Sequence, residues 1–210
     1  MMMSEKEFDA IIVGAGHNGL VASCYLASAG LRVLILEKNN HLGGATWSNY
    51  TFPGVDVRVS EYSYLISLLP KKILSDLGIS LEIRQRSVAS FTPLLSEGSP
   101  KGILISNISE DITRNSFVRY FGDDREYRKY RTLQEKLTIF ARNIWPTFLS
   151  PLISKNKLRE KFLQKEEQEI WDYLVEKPLS ALIEDHLSED TVRGIVFTDA
   201  KIGHLTNPDD

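Results

Sequence analysis

Residues 8–44 read FDAIIVGAGHNGLVASCYLASAGLRVLILEKNNHLGG. The run from Phe8 to Val13 is apolar and ends in glycine, the pattern of a buried strand. Residues 18–29 are helix formers, and Gly30 stands where a helix closes with a left-handed residue. Residues 32–36, RVLIL, are a second run of buried-strand type. Strand, helix and strand in this order make a right-handed parallel crossover, so the fold class is α/β.

The turn between the first strand and the helix is Gly14-Ala15-Gly16-His17-Asn18-Gly19, a GxGxxG. In that position Gly14 makes the tight turn. Gly16 lets a pyrophosphate approach the backbone, and Gly19 lets the helix pack on the strand. The helix start then faces the phosphates with free N–H groups and the positive end of its dipole. Glu37 ends the second strand, 18 residues after Gly19. A carboxylate there accepts hydrogen bonds from the two ribose hydroxyls of an adenosine and repels a 2′-phosphate, which disfavours NADP. Lys38 follows at once, although neighbours at a strand end point different ways. Gly43-Gly44-Ala45 closes a polar loop that begins at Asn39. The candidate cofactor-binding set is therefore Gly14, Ala15, Gly16, His17, Asn18, Gly19, Glu37, Lys38, Gly43, Gly44 and Ala45.

The chain has 210 residues, 42% hydrophobic and 25% charged, the balance of a globular protein with room for a sizeable core. One cysteine, Cys24, excludes an intrachain disulfide and dithiol redox chemistry. Four histidines without ligand spacing give no metal site. A net charge of −3 argues against a nucleic-acid partner. The first nine residues hold no apolar signal core, and Gly30 and Arg32 interrupt the apolar run 20–36. No membrane span is expected, and a cytoplasmic location, or alternatively the mitochondrial matrix, fits the single thiol.

Beyond residue 51 the texture changes. Phe52-Pro53-Gly54 reads as a turn before an extended segment, and residues 64–77 as a helix with a break at Pro70 and an end at Gly78. Residues 81–86, 90–95 and 102–106 are short β-like runs that suggest a small sheet. From residue 109 the pattern is helical. Tyr127, Tyr130, Leu133, Leu137, Phe140, Ile144 and Phe148 mark one apolar face, ended by Pro146 and Pro151. Residues 155–175 are highly charged, with Leu158, Phe162, Ile170 and Leu174 as their apolar side, and residues 179–187 and 189–197 are two shorter helices. The expected organisation is a dinucleotide-binding unit over 1–70 and a cap region over 71–210, with its sheet at 81–106 and its helices at 109–200.

Other candidates read as structural. Cys24 suits a small buried helix position. His41 suits a solvated loop, His17 a solvent-facing or capping position, and His186 and His204 are isolated. Residues 125–131, REYRKYR, mix cations with tyrosine, but Asp123, Asp124 and Glu126 interleave, so they read as a solvated helix start.

Residues 11–44 resemble the extended N-terminal signature of the glutathione-reductase-type and amine-oxidase-type FAD flavoproteins, with Leu26, Gly30, Glu37, Gly43 and Gly44 in register and Ser23 where alanine is usual. With the stretch 52–69, Asp76-Leu77-Gly78, Phe91-Thr92-Pro93, Pro178-Leu179 and residues 198–203, the chain resembles the phytoene-desaturase-like oxidoreductases. Within them it is most like the group called pyridine nucleotide-disulfide oxidoreductase domain-containing protein 2. The resemblance implies FAD as cofactor, hydride abstraction from a C–H bond of a small-molecule substrate, and no obligatory catalytic side chain. It places Trp47, Tyr50, Arg58, Glu61, Tyr62 and Tyr64 near the flavin ring and the substrate. It also implies that this chain corresponds to an N-terminal half. The missing strands would come from a complementary C-terminal half, or the chain would pair as a homo-oligomer, and alone it would be inactive. Two other readings stay open: an NAD-dependent dehydrogenase, and a non-catalytic dinucleotide-binding remnant or partner module.

Overall fold

A computed structural model describes residues 7–94, 101–202, 205 and 207–209. The chain divides into two compact units, residues 1–83 and 84–210.

The first unit opens with strand β1 (Ala10–Val13), helix α1 (His17–Ser28) and strand β2 (Val33–Leu36). The strands are parallel, in register from Ala10 against Val33 to Val13 against Leu36. A polar clamp fixes their starting ends. The Arg32 guanidinium and backbone N–H donate to the Asp9 carboxylate at 2.8–3.0 Å, and these bonds hold its pKa down to about 2. Helix α1 stops because Gly30 turns left-handed (φ +88°). Leu31 N–H then reaches the Leu26 carbonyl and Gly30 N–H the Ala27 carbonyl, which satisfies the last turn. Facing the sheet, Ser23 is buried and its hydroxyl donates to the Gly19 carbonyl at 2.7 Å. Cys24, one position round the helix, is exposed, which corrects the expectation of a buried thiol.

The strands are not buried as their composition suggests. Among the described residues the parallel sheet has two strands, and Val13 is 84% exposed, with Ile11 and Leu36 also open. One helix covers one face, so residues fit for a two-sided core meet solvent.

Strands β3 (Ser48–Tyr50) and β4 (Arg58–Ser60) form an antiparallel hairpin, with the Arg58 guanidinium 4.7 Å from the centre of the Tyr50 ring. The helix expected from residue 64 begins only at Lys71, as α2 (Lys71–Asp76). Pro70 has extended geometry (φ −64°, ψ 133°) and disfavours helical geometry in the residue before it, so residues 64–69 run as an open strap. Tyr25 donates to Asp76 at 2.8 Å and ties α2 to α1. The β-like run at 81–86 forms no strand.

The second unit has an antiparallel pair, β5 (Val88–Leu94) and β6 (Lys101–Ser106). Leu95 and the connection after it lie outside the described residues. Helix α3 (Glu110–Phe121) is capped by Ser109 and fastened to β6, where Ser116 and Thr113 hydroxyls accept from Leu104 and Ser106 N–H at 2.7 and 2.9 Å. Then follow α4 (Arg125–Ile144), α5 (Lys155–Arg159), α6 (Lys165–Trp171), a wide π-turn at Asp172–Glu176, α7 (Leu179–His186) and α8 (Asp190–Lys201). Ile103, Phe117, Leu133, Ile170, Leu182 and Val192 form the centre of the core. The REYRKYR segment starts α4 as expected but is solvated on one side only: Arg125, Arg128 and Lys129 are exposed, while Glu126 and Tyr127 are buried. Tyr127 packs edge-on to Phe117 with ring centres 5.7 Å apart, and buried Glu126 accepts from Ser188 and Glu189 N–H at 2.8 and 3.1 Å. His186 is not isolated either. Its Nδ1 lies 2.8 Å from the Leu182 carbonyl and its Nε2 3.1 Å from Lys136 Nζ, so Nδ1 carries the proton and Nε2 accepts from the lysine. His204 lies outside the described residues. Phe148, assigned by spacing to the buried face of α4, is exposed beyond the end of that helix.

Candidate nucleotide site

Two loops and the end of β2 meet where α1 begins. Gly14 N–H donates to the Leu36 carbonyl at 2.7 Å, and Gly43 N–H to the Ala15 carbonyl at 2.8 Å. Gly16 and Gly43 lie side by side in parallel-bridge geometry. Ala15 is fully buried at the centre of this junction.

Each glycine has its own physical reason. Gly19 has ordinary helical geometry, but a Cβ on it would stand 2.2 Å from the Gly14 carbonyl oxygen, so it is needed for α1 to sit on β1. Gly44 has φ +54°, and its Cβ would come within 3.0 Å of Gly16 Cα. Gly16 differs from both. Its φ is −72° and ψ 173°, which any residue adopts, and a Cβ there would meet nothing within 4 Å. The protein's own packing does not require glycine at 16. Open space above that backbone is what a pyrophosphate needs.

The helix start is left unsatisfied. No side chain caps α1, and its first turn holds no acid. Its leading N–H groups and its dipole are therefore directed at whatever occupies that space. His17 does not cap the helix; with Asn18 it is exposed at the rim.

Glu37 is half-buried and fixed. One carboxylate oxygen accepts from Ala15 N–H at 2.7 Å and the other from Asn39 N–H at 2.8 Å. These bonds, the Asn39 bond foremost, lower its pKa below the usual carboxylate value, so it is ionised at neutral pH. Each oxygen keeps lone-pair capacity for a further donor. Lys38 is exposed and makes no ion pair among the described residues.

His41 is not a solvated loop residue. Its ring stacks on Trp47 with centres 4.3 Å apart and planes 17° apart, and its Nδ1 is buried without a partner. The stack pins the loop that carries Gly43 and Gly44. Beside the first turn of α1, a cavity of about 970 Å³ runs past Ala45 and Thr46 to the open strap at 64–69. Apolar side chains of the strap line it together with the hydroxyls of Ser60 and Ser63, and among the described residues no Asp, Glu, Lys or Arg does. Of the aromatic residues expected near a ring, Tyr64 lines this cavity, Trp47 is committed to His41, and Tyr62 points to solvent. Reading for helices hid the strap, and the one hint of it was Pro70.

The family described as "NAD(P)-binding Rossmann-like domain" matches residues 12–67. An uncharacterized protein of Mycobacterium tuberculosis is 35% identical over 202 residues, covering 95% of this chain and 37% of the relative. The pyridine nucleotide-disulfide oxidoreductase domain-containing protein 2 of Rattus norvegicus is 28% identical over 230 residues, covering 97% of this chain and 39% of the relative. The thiamine thiazole synthase of Methanococcus aeolicus is 42% identical over 83 residues, covering 39% of this chain and 28% of the relative. The chain thus spans less than two-fifths of the length of each of these relatives. It carries an NAD(P)-binding Rossmann-like domain and is homologous to pyridine nucleotide-disulfide oxidoreductase domain-containing protein 2.

Proposed function

We propose that the chain is the nucleotide-binding part of an FAD-dependent oxidoreductase of the phytoene-desaturase-like type. The observation that carries the reading is the Gly43–Gly44 loop, laid against Gly16 so that two glycine backbones flank the start of α1. A single GxGxxG turn suffices for an NAD half-site. The second glycine pair, with a cavity of about 970 Å³ beyond it, leaves room for the longer flavin half.

In this reading Glu37 accepts the ribose hydroxyls, the N–H groups at Gly16–Asn18 hold the pyrophosphate, and Ala45 borders the ribityl chain. When bound, FAD would supply the redox chemistry, the acceptance of a hydride from a C–H bond of the substrate. The chain's own residues bind, orient and exclude water. In this reading the substrate is a small molecule. No side chain is assigned as an acid or base. The open β1–β2 sheet is extended by further strands, from a C-terminal half of the same polypeptide, a complementary chain or a second copy. The single thiol suits a reducing compartment, the cytoplasm or the mitochondrial matrix.

The test is to denature the purified protein and identify the released ligand by chromatography. FAD is expected. Release of NAD supports instead the dehydrogenase reading that the Rossmann-like match also allows, and release of FMN contradicts the assignment of Glu37.

A further inference from the structure

We propose that residues 142–165 form a tip that seats on the surface of an anionic lipid bilayer. Helix α4 ends at Ile144; a single 3-10 turn (Trp145–Thr147) that contains Pro146 follows, and the connection from there, with Pro151 in it, runs to α5. Trp145, Phe148, Leu149, Leu152 and Ile153 are all exposed there, Leu152 completely (103%), and Leu163 joins them. The Trp145 and Phe148 rings touch each other, centres 5.0 Å apart, rather than turning into the core.

The charge around this apolar cluster is one-sided. Residues 142–165 hold six basic side chains and one acid in a chain whose net charge is −3. Lys155 and Arg159 are paired, with Glu176 at 2.6 Å and Asp172 at 2.8 Å. Arg142, Lys157, Lys161 and Lys165 are exposed and make no ion pair among the described residues.

Indole and phenyl rings with leucine and isoleucine, surrounded by lysine and arginine, are the chemistry of the headgroup–acyl boundary. The apolar groups enter the boundary, and the cations meet anionic headgroups while their alkyl stems follow the apolar surface. A folded partner would have to match these cations with carboxylates one by one, whereas an anionic bilayer supplies counter-charge across the whole face. The tip rests on the surface only: no helix among the described residues is long and apolar enough to cross a membrane.

The test is co-sedimentation of the chain with vesicles of phosphatidylcholine alone and with roughly one-third phosphatidylserine added. Binding to the anionic vesicles should exceed binding to the neutral ones about tenfold and weaken as salt rises. Leu152→Ser with Ile153→Ser, and separately Lys157→Glu with Lys161→Glu, should each lower it about tenfold or more at unchanged circular dichroism. No sedimentation with either vesicle overturns the proposal, as does binding indifferent to both variants. So does a lipid-free dimer that the apolar variant dissociates, which would make the face an interface between copies of the chain.

Discussion

A Cβ at Gly19 would stand 2.2 Å from the Gly14 carbonyl oxygen, whereas at Gly16 it would meet open space. The two glycines should therefore fail differently. Gly19→Ala pushes α1 off β1 and should cost about 1–3 kcal/mol of stability, read by thermal unfolding. Gly16→Val should leave the melting curve unchanged and reduce dinucleotide affinity about a hundredfold or more, because its side chain occupies pyrophosphate space. Equal melting losses in the two variants would contradict this assignment. Glu37 carries a pH dependence as well. Its folded pKa is depressed, so its contribution is present above its ordinary value of about 4.5 and is lost as pH falls through the lowered value. Affinity should hold from neutral pH down to about 4.5 and decline only below it, and Glu37→Ala should weaken binding roughly ten- to a hundredfold at neutral pH. Titrations across pH on wild type and variant check both statements.

Helices α4 and α8 are joined by one buried carboxylate. Glu126 accepts the N–H groups of Ser188 and Glu189 just before α8, so Glu126→Ala leaves two donors unpaired and should destabilise the second unit by about 1–3 kcal/mol. Unfolding by denaturant would show an unchanged midpoint if that contact were idle. Nothing local in the sequence announces the bond, since its partners lie more than sixty positions apart. The parallel strand–helix–strand unit was legible because its signals are local: two apolar runs, three glycines and Gly30. The strap at 64–69 was not, because apolar residues on both sides of a proline fit a helix pattern until backbone geometry before Pro70 decides against it. The side of α1 that is buried was only half legible. Ser23 and Cys24 are both small, and the facing sheet, rather than their chemistry, selects between them. The His41–Trp47 stack depends on a single helical turn at Gly44–Thr46, which no spacing rule foretells.

At the scale of the whole molecule the parallel sheet governs behaviour. Among the described residues its two strands leave Ile11, Val13 and Leu36 in solvent, and edges of this kind pair with other strands. The chain studied alone should bind an apolar-surface dye and self-associate as concentration rises, and Val13→Lys should suppress both. A monodisperse species that ignores the dye would mean that the exposed face is covered in solution. The glycines and Glu37 all lie within the first unit, so the choice of nucleotide is to be measured on this chain. The most direct measurement is a side-by-side titration with FAD, NAD and NADP at neutral pH, with Gly16→Val as the control. FAD should bind tightest, NADP weakest because the Glu37 carboxylate faces its 2′-phosphate, and Gly16→Val should bind none of them measurably. NADP binding as tightly as FAD, or FAD binding undiminished in Gly16→Val, would contradict the account.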